Sequence, residues 1–444
     1  MKKFAKGLNN KKILDIFTLC ILFLIPIMQM VAYYLEVYNI LTDYTSINSA
    51  MILWLCIPFL LFIYIKDIFD KKRKLDVYDY IFYFLIFIGI IVTIFAKYPK
   101  ISLLGSAERR DGLLSLISYY LLFINWKVNG TNSDIKKYIK IFIIIGIINS
   151  IYALFQIYSP FNFILRFDYK NNMAIGFCGN PNFFGSLITV LLAIMTVKFL
   201  SEDRMIKKDI IILILFFVSL INCQSTVPVL TYFVTSIFMI LFLSRKKKLF
   251  CEKIVVLVLI ILFSIISAYT FLQIKNNYHN ENDKLMCDTC DIKGIVNSGG
   301  SGRLKIWENT IKIIPQNFIT GVGYDNLEYA YPNPEVGIKF YFTNDHLVQK
   351  EEEIKIVDNA HNVYLHNLAV SGILGLIPYL VLCLYTFVHG LKSNNKLIFM
   401  LLGGFTAYSI QAFFNIDVIE VVPIYYIIIG LILSEKKNKD KTLT

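Results

Sequence analysis

The sequence predicts an all-α polytopic membrane protein with about twelve transmembrane helices and one large extracytoplasmic loop. Three observations carry this reading. The composition is 56% hydrophobic and 15% aromatic with only 17% charged residues, and the mean hydropathy is +0.60. Apolar runs of about 20 residues, the length that crosses a bilayer, recur along the chain. Basic clusters punctuate those runs on one expected side. Backbone groups in lipid must bond within their own segment, so each run reads as helix.

The runs fall at about 13–34, 49–69, 77–97, 112–129, 138–158, 181–200, 208–222, 226–243, 253–275, 361–388, 395–413 and 418–434. The first follows a basic start (Lys2, Lys3, Lys6, Lys11, Lys12) but is long and lacks a small-residue cleavage site, so it reads as a permanent span. The net charge of +12 comes from clusters at the N-terminus, Lys71–Lys74, Lys136–Lys140, Arg204–Lys208, Arg245–Lys248, Lys392 with Lys396, and Lys436–Lys441. With twelve spans these all fall inside, which places both termini in the cytoplasm; the richness in Ile, Lys, Asn and Phe suggests a low-GC bacterium, and so its plasma membrane. The charge is thereby explained by the bilayer, and nucleic-acid binding is set aside. The chain divides into N-terminal spans (1–104), core spans (105–274), an extracytoplasmic cap (275–360), C-terminal spans (361–434) and a cytoplasmic tail (435–444). No internal repeat is evident, and the two halves show no matched broken helices.

Positive residues on the outer side run against the charge bias and therefore mark local work. They include Arg109, Arg110, Arg166 and Arg303. The bland alternatives are interfacial snorkelling for Arg109 and Arg110 and a plain surface position for Arg303. Every even-numbered span starts at the outer face. The fourth follows GSAERRDG (105–112). The sixth starts at GNPNFFG (179–185), where Asn180 suits an N-cap and Pro181 the first turn. The eighth starts near QSTVP (224–228), and the tenth at DNAHN (358–362) with His361 and Asn362. Such helix starts offer free N–H groups and a positive dipole end to an anion, phosphate above all. His361 and Asn180 also read as simple caps, and His366 as a packing residue facing elsewhere. In the cap, RLKIWENTIKIIPQNF (303–318) has helical periodicity, with Ile306, Thr310, Ile313 and Ile314 on one side and Arg303 and Trp307 sharing a face. Cys287 and Cys290 in MCDTCD read as a local disulfide or as two free thiols; a lone CxxC lacks the second ligand pair of a zinc site.

Several motifs together resemble the O-antigen ligase and O-antigen polymerase family, membrane glycosyltransferases that use polyprenyl-diphosphate-linked glycans. They are GRLKIWENTIKIIPQNFITGVG (302–323), with Arg303, Trp307, Gly321 and Gly323, then DNAHNVYLHNLAVSGILGLIPYL (358–380) and GFTAYSIQAFFNIDVIEVVP (404–423). GSAERRDGLLSLISYY (105–120) and GNPNFFG are similar to upstream signatures of polymerase-like members. The resemblance implies the C-type glycosyltransferase class, transfer without a metal or other cofactor, and a polyprenyl-diphosphate-linked glycan as donor. The acceptor is another glycan, a lipid or a wall polymer, and the reaction belongs to cell-surface polysaccharide biosynthesis with undecaprenyl diphosphate as carrier. It also implies that Arg303 and Arg109 or Arg110 hold the diphosphate, with Arg166, Asn180 and Asn362 contributing. His361 then serves as general base for the incoming hydroxyl. One departure stands out: where members carry a Ser-Arg-Gly-like element at the eighth span, this chain reads Gln224-Ser225-Thr226. Either Arg109, Arg110 or Arg166 supplies the missing charge, or the phosphate grip is weaker, or the activity differs. A twelve-span polysaccharide flippase or secondary transporter is the rival reading.

Overall fold

The structure, a computed structural model, describes residues 10–37, 49–70, 73–106, 109–158, 173–243, 251–259, 261–262, 303–331 and 357–435. Arg166, Cys287, Cys290, the tail and most of the expected cap lie outside the described residues. Among those described, the chain is helical and contains no strand. The helices are α1 (Asn10–Val37), α2 (Ala50–Asp70), α3 (Val77–Phe95), the short α4 (Pro99–Leu104), α5 (Leu113–Asn129), α6 (Asn132–Tyr158), α7 (Pro181–Ser201), α8 (Lys207–Asn222), α9 (Thr226–Leu243), α10 (Arg303–Ile313), α11 (Val363–Lys392), α12 (Lys396–Gln411) and α13 (Val422–Leu433).

Six of them, α1, α2, α3, α6, α7 and α11, are long and apolar enough to cross a membrane; α9 and α13 are apolar but shorter. α5, α8 and α12 have 17, 16 and 16 residues. Every apolar run except 253–275 coincides with a described helix within a few residues, and that one is described only over its first part. Exposed leucines and phenylalanines such as Leu55, Phe62, Phe87 and Leu241 stud the outer helices, as a lipid-facing surface requires. α7 and α13 are almost wholly buried and form the centre, packed by α5 and α12.

Successive helices run in alternating directions, so their ends form two layers. One layer is basic, and its charges are paired: Lys11 with Asp134 at 2.6 Å, Arg73 with Asp79 at 2.6 and 2.7 Å, Lys127 with Asp76, and Lys198 with Asp209. Asn10 and Asn129 both donate to Asp67 there, tying the start of α1 and the end of α5 to the end of α2. The opposite layer holds the starts of α5, α7, α9, α11 and α13 and the ends of α3, α8 and α12. Its polar side chains are described next.

α11 is not one continuous helix. Gly372 sits at φ 63°, ψ −169°, which breaks the ladder in mid-helix. The chain after α10 fills the gap. Val322 and Gly323 donate their N–H groups to the Ala369 and Val370 carbonyls, both at 2.9 Å, while Ile373 and Leu374 donate to Phe318 and Ile319 at 2.8 and 3.3 Å. Backbone groups freed by the break are thus satisfied by a neighbouring segment, the condition for irregular backbone at membrane depth. The approach is so close that a Cβ on Gly321 would lie 2.3 Å from the Val370 carbonyl carbon, and one on Gly372 would lie 2.2 Å from the Ile319 oxygen.

Candidate functional site

The four outer helix starts expected from the sequence gather in one layer, held by side chains that reach between them. Asn180 caps α7, accepting the Asn182 N–H at 2.8 Å, with Pro181 in the first turn. The Ser225 hydroxyl, just before α9, donates to Asn182 Oδ1 at 2.6 Å. Gln411, the last residue of α12, and Asn415, just beyond it, both donate to Ser186 Oγ at 2.7 Å. Asn362 caps α11 through the Leu365 N–H at 3.0 Å, and the Val363 N–H bonds the Ala412 carbonyl at 2.8 Å. α7, α9, α11 and α12 therefore meet at this end. Thr226 opens α9, so the helix start survives where the expected arginine is absent.

The segment after α10 clamps this layer from a second direction. Ser102 Oγ accepts the Tyr324 N–H at 3.1 Å, the Asp325 carboxylate accepts the Ser106 N–H at 2.6 Å, and Asn326 Oδ1 accepts the Tyr98 N–H at 3.0 Å. Asp325 adopts φ 54°, the left-handed turn that presents its carboxylate to the 105–112 connector. α10 itself packs on α11 and buries Ile306, Thr310 and Ile313, the face expected from its periodicity. The Trp307 ring stands 6.3 Å from Phe414, two residues past Ala412, so the Arg303–Trp307 face lies at the end where α11 starts.

The outer arginines differ in what they meet. Arg109 is paired through Nε with Asp358, a residue 249 positions away. Burial pushes the Asp358 carboxyl up, but the Arg109 charge and hydrogen bond outweigh it and hold the group below its ordinary value. Arg110 takes φ 58°, accepts the Ser115 hydroxyl on its carbonyl at 2.6 Å, and buries Nε without a hydrogen-bond partner. Arg303, partly buried, pairs with no acid among the described residues, and burial alone moves its pKa down. His361, at φ 51°, donates its N–H to Asn359 Oδ1 at 3.0 Å and is close enough to Asp358 for its charge to be felt there.

Two features differ from the expected cationic cradle. His366, read as facing elsewhere, sits within electrostatic reach of His361, Asp358 and Arg109. The layer is also rich in carboxyls: Asp111, Asp325, Asp358, Asp417 and Glu420. Burial first, then Asp325 and Asp417, push the Asp111 carboxyl well above its usual range. Burial raises Asp325 as well, and moves Asp417 up to about 6 although the Tyr408 hydroxyl donates to it. The RRD and YDN stretches carried these acids in plain view, but nothing local shows that they meet. Gly321 and Gly323 prove to be close-approach glycines at φ 70° and 104°. Among the described residues no group of three or more His, Cys, Asp or Glu is placed to hold a metal ion.

Residues 211–380, from α8 through the cap helix to the first half and break of α11, match the family model described as O-Antigen ligase. The matched segment, 170 of the 444 residues, is similar to an O-antigen ligase domain. It includes Arg303, Trp307, Gly321, Gly323, His361 and Asn362, whereas Arg109, Arg110 and Asn180 lie outside it. No curated protein is similar enough to the chain to serve as a relative.

Proposed function

We propose that the protein is a twelve-span membrane glycosyltransferase of the O-antigen ligase and polymerase type. It moves a polyprenyl-diphosphate-linked glycan onto an acceptor hydroxyl at the outer face of the cytoplasmic membrane. The observation that carries this is the contrast among the arginines. Arg109 is already neutralised by Asp358, while Arg303 and Arg110 bring to the layer where α11 begins partly buried guanidinium groups that meet no carboxylate among the described residues. An unpaired guanidinium withdrawn from water is costly unless an anion meets it, and its planar donor fork suits phosphate oxygens.

In the reaction, the acceptor oxygen attacks the anomeric carbon as the bond from that carbon to the diphosphate oxygen breaks. Negative charge grows on the leaving lipid diphosphate, where Arg303 and Arg110 stabilise it. The proton of the acceptor hydroxyl passes to His361, a base of the right strength near neutral pH that contributes about 100- to 10,000-fold in rate. Attack opposite the leaving group inverts the anomeric centre. The donor is already activated, so no nucleotide is consumed. Polymerisation onto a second lipid-linked glycan is the form favoured by the upstream signatures at 105–120 and 179–185.

The test uses purified protein in liposomes with a lipid-diphosphate oligosaccharide. Longer glycan or a new conjugate, together with released lipid diphosphate, is the expected outcome; Arg303→Ala and His361→Ala abolish it while expression is unchanged. Undiminished turnover in both variants rejects the assignments. The break in α11 also favours the rival carrier reading, since discontinuous helices line transport sites. Flux of the oligosaccharide across the liposome without any elongation selects that rival.

A further inference from the structure

The cap helix α10 and the turn that follows it, Ile314–Asn317, carry two apolar rows. One row, Ile306, Thr310 and Ile313, is buried where α10 packs on α11. The other is Leu304, Trp307, Ile311, Ile314 and Phe318, at alternating steps of three and four residues, the spacing that aligns side chains along one side of a helix. This second row is open. Leu304 is 59% exposed, Ile311 55% and Phe318 48%, and the adjoining Ile319 is 62% exposed. Proteins in water rarely leave a contiguous apolar row uncovered. A charged row runs beside it, one position on: Lys305, Glu308 and Lys312 are exposed, with both lysines paired to Glu308 at 3.0 and 2.5 Å. Arg303 borders the apolar row on its other side, near Trp307.

The level at which the open row sits decides what covers it. Ile313 shares an apolar cluster with Ile88 and Val92, which lie in the last two turns of α3. The Phe318 and Ile319 carbonyls accept from Ile373 and Leu374, ten and eleven residues after the start of α11. Both α3 and α11 are long and apolar enough to cross a membrane. In the same turns they expose Ile90 and Ile94 on α3 and Ile377 on α11, residues that only lipid covers well. The open row therefore stands level with a lipid-facing surface. A helix with an apolar row beside a charged one is also the pattern that settles at a membrane interface, where lysine stems cover apolar surface and their charges reach water.

We propose that α10 and the turn after it form a re-entrant element set into the leaflet at the end where α11 starts. Acyl chains cover the row from Leu304 to Ile319, and the Lys305–Glu308–Lys312 row faces the headgroups. This assignment does not rest on the proposed function. Joined to it, the assignment brings Arg303 to the border between leaflet and site, so that a lipid-borne diphosphate reaches the guanidinium without leaving the membrane.

The experiment uses the unaltered full chain in phosphatidylcholine nanodiscs doped with a phosphatidylcholine that carries a diazirine in the middle of one acyl chain. After irradiation and digestion, mass spectrometry maps the carbene adducts. Adducts at Leu304, Ile311, Phe318 and Ile319 are expected within about threefold of those on Ile377, and about tenfold above those on Lys305 and Glu308. A labelled Ile377 with an unlabelled row overturns the proposal, because another segment of the chain or a second copy then covers the row. A parallel irradiation with a water-borne diazirine guards against a row that stands in solvent: labelling of Ile311 and Phe318 as heavy as that of Lys305 and Glu308 overturns the proposal as well.

Discussion

The insertion of residues 318–323 into the break of α11 makes a sharp expectation for Gly321→Ala. Gly321 has φ 70°, where an added Cβ costs about 1 kcal/mol in backbone strain. That Cβ would also stand 2.3 Å from the Val370 carbonyl carbon and 2.4 Å from the Ser371 nitrogen, both backbone atoms that cannot rotate away. The segment must therefore retreat, and the Val322–Ala369 and Gly323–Val370 hydrogen bonds, both 2.9 Å, are the first to go. Each leaves buried backbone groups unpaired at about 1 kcal/mol or more, so the total is about 3 kcal/mol. This corresponds to about 150-fold faster opening of the inserted segment. Hydrogen exchange in nanodiscs reads it directly at the amides of Val322, Gly323, Ile373 and Leu374, with Thr320→Ala as a control that keeps the glycines. Exchange in Gly321→Ala indistinguishable from the unaltered protein at these four amides would falsify the insertion.

Two further expectations concern the charges of the same layer. Burial raises the Asp417 carboxyl to about 6, so the folded chain takes up this proton more readily than the unfolded chain, whose aspartate titrates near 3.9. The stability this supplies is complete below about pH 3.9 and gone once pH has risen through about 6. Asp417→Asn should thus be more stable than the unaltered protein at pH 7.5, by about 1–3 kcal/mol, with the gap closing towards pH 4; a gap independent of pH in thermal unfolding refutes the burial account. For Arg109 and Asp358, a double-mutant cycle with alanine at each position should return a coupling of about 1–3 kcal/mol, and zero coupling means the ion pair is not formed.

Much of the helical scaffold was legible because its signals are local. A run of apolar residues ends where charges begin, and Asn180-Pro181 or Asn362 announces a helix start by the chemistry of capping. The periodicity of 303–313 showed which side of α10 would be buried. Tertiary pairings were not legible. Arg109 looked like a free cation because Asp358, its partner, is 249 residues distant. Asp111 and Asp325 carried no local signal, since only the folded chain brings Asp325 to the Ser106 amide. Gly372 was hidden for a different reason: one glycine inside a long apolar run is commonplace in membrane helices, and its break shows only when the segment filling it is known. The glycines on the other side, Gly321 and Gly323, read in the sequence as loop residues, and the structure places them as half of a joint.

The central claim is that a guanidinium from the cap helix and the imidazole at the start of α11 meet on the non-cytoplasmic side. It is tested most directly by cross-linking Arg303→Cys to His361→Cys with a short, membrane-impermeant bismaleimide in intact cells. In the test variant the eight native cysteines are replaced and a protease site is inserted between the two positions. The expected result is a chain that stays joined after cleavage. Two fragments that separate, with either cysteine reactive only after the membrane is opened, contradict the account.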